Sequence, residues 1–204
     1  MLCRFATLAA LFGAVLLPLT ATRSLPLDSH RAVYVRDTTA APVTKTKPSI
    51  TRTGLAGISS ATTDIQGAVY FFQTDHTSPA MMGYALYNLQ PHQTYSYHVH
   101  VSPVGANHNC TATGGHYDPY SVNKDASTYK CDGTQSKTTC ELGDLSGRFG
   151  SIKANGDGVA MSPQLFIDSY LSVSNMNPVH GRSIVLHNGK GDRVACGNIE
   201  DIAN

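Results

Sequence analysis

The chain has 204 residues, 41% hydrophobic and 14% charged, which suits one globular domain with a real core plus some extra segment and leaves no room for two large domains. Its net charge of +1 hides two unlike segments: residues 1–53 hold 7 basic and 2 acidic groups, net +5, whereas residues 54–204 hold 8 basic and 12 acidic, net −4. A body with an acidic excess and no basic stripe argues against nucleic acid as a partner.

The first residues, MLCRFATLAALFGAVLLPLTATRS, set Arg4 ahead of an apolar run from Ala6 to Leu19 and small residues near Ala21. That is the layout of a secretory signal peptide, expected over residues 1–22. The run is shorter than the roughly 20 residues a membrane span needs. No later segment is apolar enough to span, and the terminal ACGNIEDIAN lacks the spacer and hydrophobic tail of a lipid-anchor signal. The mature protein is therefore expected to be secreted and extracellular, with no membrane span or lipid anchor. Residues 23–54, including RDTTAAPVTKTKPSITRT, are rich in Thr, Pro, Ala and Lys with no apolar period, and read as a disordered leader, either a propeptide or a stalk.

From Leu55 onward the character changes. Short β-branched and aromatic runs alternate with Gly, Asn, Asp and Pro: IQGAVYFFQ, MMGYALYNL, TYSYHVHV, GRFGSIKA, GVAMSP, SYLSVS, RSIVLHN and RVACGNI. Long amphipathic helical patterns are absent. Asn155-Gly156 and Asn188-Gly189 each fall between two such runs, a strong hairpin signal. Residues 55–204 are thus expected to form one all-β domain, a barrel or sandwich of about eight antiparallel strands.

Cys3 leaves with the signal, and Cys110, Cys131, Cys140 and Cys196 can pair in three ways. Cys131 and Cys140 bracket the polar loop DGTQSKTT and are expected to close it locally, leaving Cys110 to bridge to Cys196. Asn109-Cys110-Thr111 is the one glycosylation sequon, and a disulfide-bound central residue counts against its use.

In YSYHVHV, strand alternation puts Tyr95, Tyr97, Val99 and Val101 on one face and Ser96, His98 and His100 on the other. The Tyr/Val side is the core side, so two imidazoles project together with Cβ atoms roughly 7 Å apart, close enough to share an ion. A solvated or hydrogen-bonded pair is the alternative. Two more histidines lie where β elements could bring them: His116 in NCTATGGHYDP and His187 at the end of SIVLH. Four imidazoles suit Cu, Zn, Ni or Fe, and an all-nitrogen set with a redox-capable metal favours copper. His30 lies in the leader, His76, His92 and His108 in polar turn-like stretches, and His180 at a strand start; none is assigned to metal.

Six segments in order resemble the copper/zinc superoxide dismutase family: YSYHVHV, NCTATGGHYDP, ELGDLSG, DSYLSV, GRSIVLH and GDRVACGNI. The resemblance implies a Greek-key β-barrel, with His98, His100, His116 and His187 as copper ligands and Cys110–Cys196 as the family disulfide. It also makes Arg193 the arginine that holds the superoxide anion, and His116 a carrier of the catalytic proton. Two departures accompany it. No histidine occurs between Tyr117 and Asp144, Glu141 stands where a zinc histidine is expected, and only NGKGD separates His187 from Arg193 where the zinc enzymes carry a long charged loop. Both resemble the secreted copper-only branch known from fungi, in which carboxylates matching Glu141 and Asp144 replace zinc as partners of the ligand imidazoles. Copper is the expected cofactor and zinc is not.

Three other readings stay open at this level. A zinc hydratase of the carbonic anhydrase type shares His-x-His plus a distant histidine, but leaves a fourth histidine, Arg193 and the disulfide unexplained. A cupin would need a glutamate shortly after His100, where Val101–Gly105 offers none. A non-catalytic copper-buffering relative would keep the four ligands, and Arg193 argues against it. The sequence does not choose between a monomer and a homodimer.

Overall fold

The computed structural model describes residues 52–134, 137–173, 175–176 and 178–202. The signal peptide expected over 1–22 and nearly all of the leader expected over 23–54 lie outside the described residues.

Three strands, β1 (Arg52–Ser59), β2 (Gln66–Gln73) and β3 (Ala80–Tyr87), form an antiparallel meander. Alternation writes their faces: in β2, Val69, Phe71 and Gln73 are buried while Tyr70 and Phe72 are half-buried. β4 (Thr94–His100) follows β3 in the chain but pairs with β5 (Ile152–Lys153) and β8 (Ser183–His187). β6 (Ala160–Met161) and β7 (Phe166–Asp168) both pair with β3, and β9 (Arg193–Asp201) lies between β8 and β1. The hydrogen-bonded path is β5-β4-β8-β9-β1-β2-β3-β6, with β7 off the path on β3.

Every pairing is antiparallel, and the route from β3 across to β4 makes the connectivity a Greek key. The two ends of the path, β5 and β6, are consecutive in the chain. Backbone bonds Ala154 N–H to Gln93 O (3.0 Å) and Leu89 N–H to Gly158 O (2.9 Å) hold the turn between them against the β3–β4 connection. The result is a nearly closed barrel with little open edge. Its core includes Phe71, Met82, Leu86, Tyr97, Leu142, Leu145, Ile152, Ile184, Leu186 and Ile199, all fully buried. Each such large side chain contributes about 1.5–3 kcal/mol by leaving water.

Local departures from the sequence reading have identifiable causes. GRFGSIKA is split: Asp144 accepts the Gly147 N–H at 2.8 Å and starts a short helix, α1 (Leu145–Phe149), before β5. Residues 169–173 of SYLSVS form no strand, because side chains take their backbone donors. Asp168 accepts from the Tyr170 and Leu171 N–H groups, and Gln73 Oε1 accepts from Val173 N–H and the Ser172 hydroxyl. Asn155-Gly156 does make a turn, but the strands it joins pair with β4 and β3 and not with each other. Asn188-Gly189 closes the β8–β9 hairpin, as its spacing suggests.

Asp168 also pairs with Arg148 of α1, the two side chains being 0% and 1% exposed. This fixes the helix against β7 beneath the loop that precedes it. No helix among the described residues is long and apolar enough to cross a membrane.

Candidate metal centre

β4 carries the first half of the site. Tyr95, Tyr97 and Val99 point into the barrel, while His98 and His100 point out of it, yet both histidines are buried. The long 101–144 connection covers them. Tyr117 N–H bonds Val99 O (2.8 Å), Val99 N–H bonds Gly143 O (2.9 Å), and Gly143 N–H bonds Tyr117 O (2.7 Å). A Cβ on Gly143 would stand 2.4 Å from Val99 O, so only glycine permits this three-way backbone contact. It brings the segment carrying His116 and the segment carrying Glu141 and Asp144 together alongside β4. His187 arrives from β8, opposite Ser96, where a register shift follows Leu186.

The four histidines His98, His100, His116 and His187 each offer a ring nitrogen within 4.8 Å of the others. Hydrogen bonds to the far nitrogens decide which atoms face inward. His100 Nδ1 donates to Gly114 O (2.9 Å) and His187 Nδ1 to Gly191 O (3.0 Å), leaving their Nε2 lone pairs only 3.3 Å apart. His116 Nδ1 meets Glu141 Oε2 at 2.6 Å, which also turns its Nε2 inward. His98 is reversed: Nε2 faces Asp144 Oδ1 at 3.5 Å, and Nδ1 is buried with no hydrogen-bond partner.

A buried, orphaned imidazole nitrogen is costly unless something accepts its lone pair. Three Nε2 atoms and one Nδ1, their other nitrogens bonded to a carbonyl or carboxylate or, for His98, facing a carboxylate at 3.5 Å, form a donor set that a metal ion completes. Burial, reinforced by the neighbouring imidazoles and Arg193, pushes His98 down to about 2. Burial likewise lowers His100 to about 3 and shifts His187 downward. These rings are therefore neutral and ready to coordinate.

The carboxylates are themselves held. Glu141 Oε1 accepts from Asn123 Nδ2 (2.7 Å), and Asp144 Oδ2 accepts from the Tyr129 hydroxyl (2.9 Å). Asn123 and Tyr129 escaped the sequence reading, since they lie in an irregular loop with no period or spacing to single them out. Arg193 opens β9 and is anchored rather than free: Nη1 donates to Cys110 O (2.9 Å) and Thr113 Oγ1 (2.7 Å), and Nη2 to Gly114 O (2.6 Å). Gly114 O thus joins Arg193 to His100. The disulfide Cys110–Cys196 ties the same loop to β9, and Cys131–Cys140 closes the loop below Glu141.

His30 lies outside the described residues, and the remaining described histidines stay apart. His76, His92 and His180 are exposed, and His108 bonds Ser59. Lys190 is an exposed turn residue. Among the described residues, the other groupings of potential ligands are built on the disulfide cysteines.

The family model described as copper/zinc superoxide dismutase matches residues 65–199. Cell surface superoxide dismutase [Cu-Zn] 4 of Candida albicans is 38% identical over 107 residues, 52% of this chain and 40% of that protein. Cell surface Cu-only superoxide dismutase 5 of the same fungus is 36% identical over 107 residues, 52% of this chain and 41% of that protein. The chain thus spans less than half the length of these curated relatives. A solved structure of Candida albicans superoxide dismutase 5 with Cu(II) superposes with a TM-score of 0.61 at 27% identity, covering 75% of this chain and 94% of that one.

Proposed function

The chain belongs to the copper/zinc superoxide dismutase family, and from that premise we propose that it is a secreted copper-dependent superoxide dismutase that works without zinc. The observation that carries this reading is the Glu141 carboxylate on His116 Nδ1. In a copper–zinc site that nitrogen would face the second metal; here a carboxylate occupies it, and Asp144 faces His98 instead of completing a zinc shell. The name of one similar fungal protein, Cu-only, supports the cofactor, and the cell-surface names of both that protein and the [Cu-Zn] relative support the extracellular setting.

A copper ion bound by His98, His100, His116 and His187 supplies one-electron cycling between Cu(II) and Cu(I), so that two superoxide anions and two protons yield oxygen and hydrogen peroxide. The chain does the rest. Arg193 directs its guanidinium beside His100 through the shared Gly114 carbonyl, where it attracts and orients the anion. His116 is the proton carrier. Its side chain is 29% exposed, against complete burial of His100, so it is the imidazole of the four that solvent reaches most readily. Glu141, fixed by Asn123, stabilises the resulting imidazolium through Nδ1–H and holds the ring in place while the proton passes to product.

Metal analysis of the purified protein with a dismutation assay tests the proposal. One copper per chain, no tightly bound zinc and rapid turnover are expected. A tightly bound zinc in each chain would overturn the copper-only reading, and inactive copper-loaded protein would make it a copper buffer.

A further inference from the structure

We infer that Tyr129 is a positioning residue of the metal centre, acting on His98 through Asp144 and on the placement of Glu141 through its backbone. The inference rests on the copper reading above. One phenol oxygen makes two hydrogen bonds: it donates to Asp144 Oδ2 (2.9 Å) and accepts from Glu141 N–H (2.9 Å). Asp144 and Glu141 are the two carboxylates that face His98 and His116, so one side chain, Tyr129, is tied to both residues.

Covalent structure reinforces the arrangement. Cys131 follows Tyr129 by two positions and bridges to Cys140, which directly precedes Glu141. The phenol bond to Glu141 N–H therefore closes a second link across the loop that the disulfide closes. Cys131 also abuts the first turn of α1: a Cβ on Gly147 would lie 2.6 Å from Cys131 Cβ, leaving only glycine room there. Gly147 N–H in turn holds Asp144 Oδ1. Asp144 is gripped at both oxygens, one by the helix turn and one by the disulfide loop.

The grip has a chemical consequence. Asp144 accepts from Tyr129 and Gly147, which draws density from the carboxylate and limits how strongly it pulls on His98 Nε2–H. That pull sets how good a donor His98 Nδ1 is. Burial, together with the Asp144 and Glu141 carboxylates, pushes the Tyr129 ionisation upward, so the hydroxyl remains a donor.

Tyr129→Phe removes both hydrogen bonds and keeps the ring. The expected result is about a tenfold change in Cu(II) affinity, an altered Cu(II) EPR spectrum, and shifted ring nitrogen resonances of His98 in the metal-free protein. The effect should largely vanish in an Asp144→Asn background, since both changes act through the same carboxylate. A fluorinated tyrosine at 129, a stronger donor of nearly the same shape, should move the EPR parameters the opposite way and serves if the phenylalanine variant does not fold. An affinity, spectrum and His98 resonances equal to the parent's would overturn the inference, as would full additivity with Asp144→Asn. Failure of the parent to bind copper would sink the proposed function instead, and the His98 resonances would then decide the role of Tyr129 alone.

Discussion

At the scale of single residues, Arg193 is what would separate the proposed anion-guiding site from a mere metal cage. Its guanidinium makes three short bonds to the 110–114 loop, so its charge is fixed in place and not swept through solvent. The domain carries a net negative charge that repels superoxide at a distance, which leaves local focusing as the source of any acceleration. Arg193→Ala should retain its copper, by elemental analysis, and lose about tenfold or more in turnover by pulse radiolysis. An unchanged rate would remove Arg193 from the mechanism. The residues in this site were unevenly legible. His98 and His100 showed in strand alternation, which is local. His116 and His187 stood out as further histidines on β elements that could bring them near, whereas Arg193 needed the family pattern, because its meeting with them depends on strand pairing far along the chain. Asn123, Tyr129 and the carbonyls of Gly114 and Gly191 were invisible, since hydrogen bonds made by irregular backbone leave no periodic trace.

Among the elements, β9 and the 110–113 turn stand or fall together through Cys110–Cys196, a bridge between residues 86 positions apart. A loop of that length contributes about 4–5 kcal/mol by restricting the unfolded chain. The same bridge holds the Cys110 carbonyl that anchors Arg193. Replacing both cysteines with serine should lower the denaturation midpoint by an amount near that energy and reduce turnover as well. Loss of stability with full turnover would show that the Arg193 anchor survives without the bridge. Both disulfide pairings followed from how closely Cys131 and Cys140 bracket a short loop. Strand identity was legible where β-branched runs were long, as in β2, β4, β8 and β9. It failed in SYLSVS, where Asp168 and Gln73, distant in sequence, supply the hydrogen-bond acceptors that a neighbouring strand would have offered.

For the molecule as a whole, the barrel stores the cost of its metal site as a dependence on pH. Histidines in the unfolded chain titrate near ~6.5, whereas folding drives His98 down to about 2 and His100 down to about 3, with burial the larger cause in each. Folded pKa values lie below unfolded ones, so below ~6.5 the unfolded chain binds protons that the folded chain refuses. The neutral rings therefore cost nothing above that pH, and stability falls as pH drops from ~6.5 toward the folded values, by up to about 1.4 kcal/mol per pH unit for each histidine. His187, also shifted downward by burial, adds in the same direction. Urea denaturation of the metal-free protein should give equal midpoints at pH 8 and 7 and steadily lower ones from pH 6 to pH 4. Saturating copper, which binds the same nitrogens in their unprotonated form, should carry the plateau to lower pH by mass action. A metal-free midpoint as high at pH 4.5 as at pH 7 would mean that the imidazole cluster accepts protons in place, and that its nitrogens are not held open for a metal.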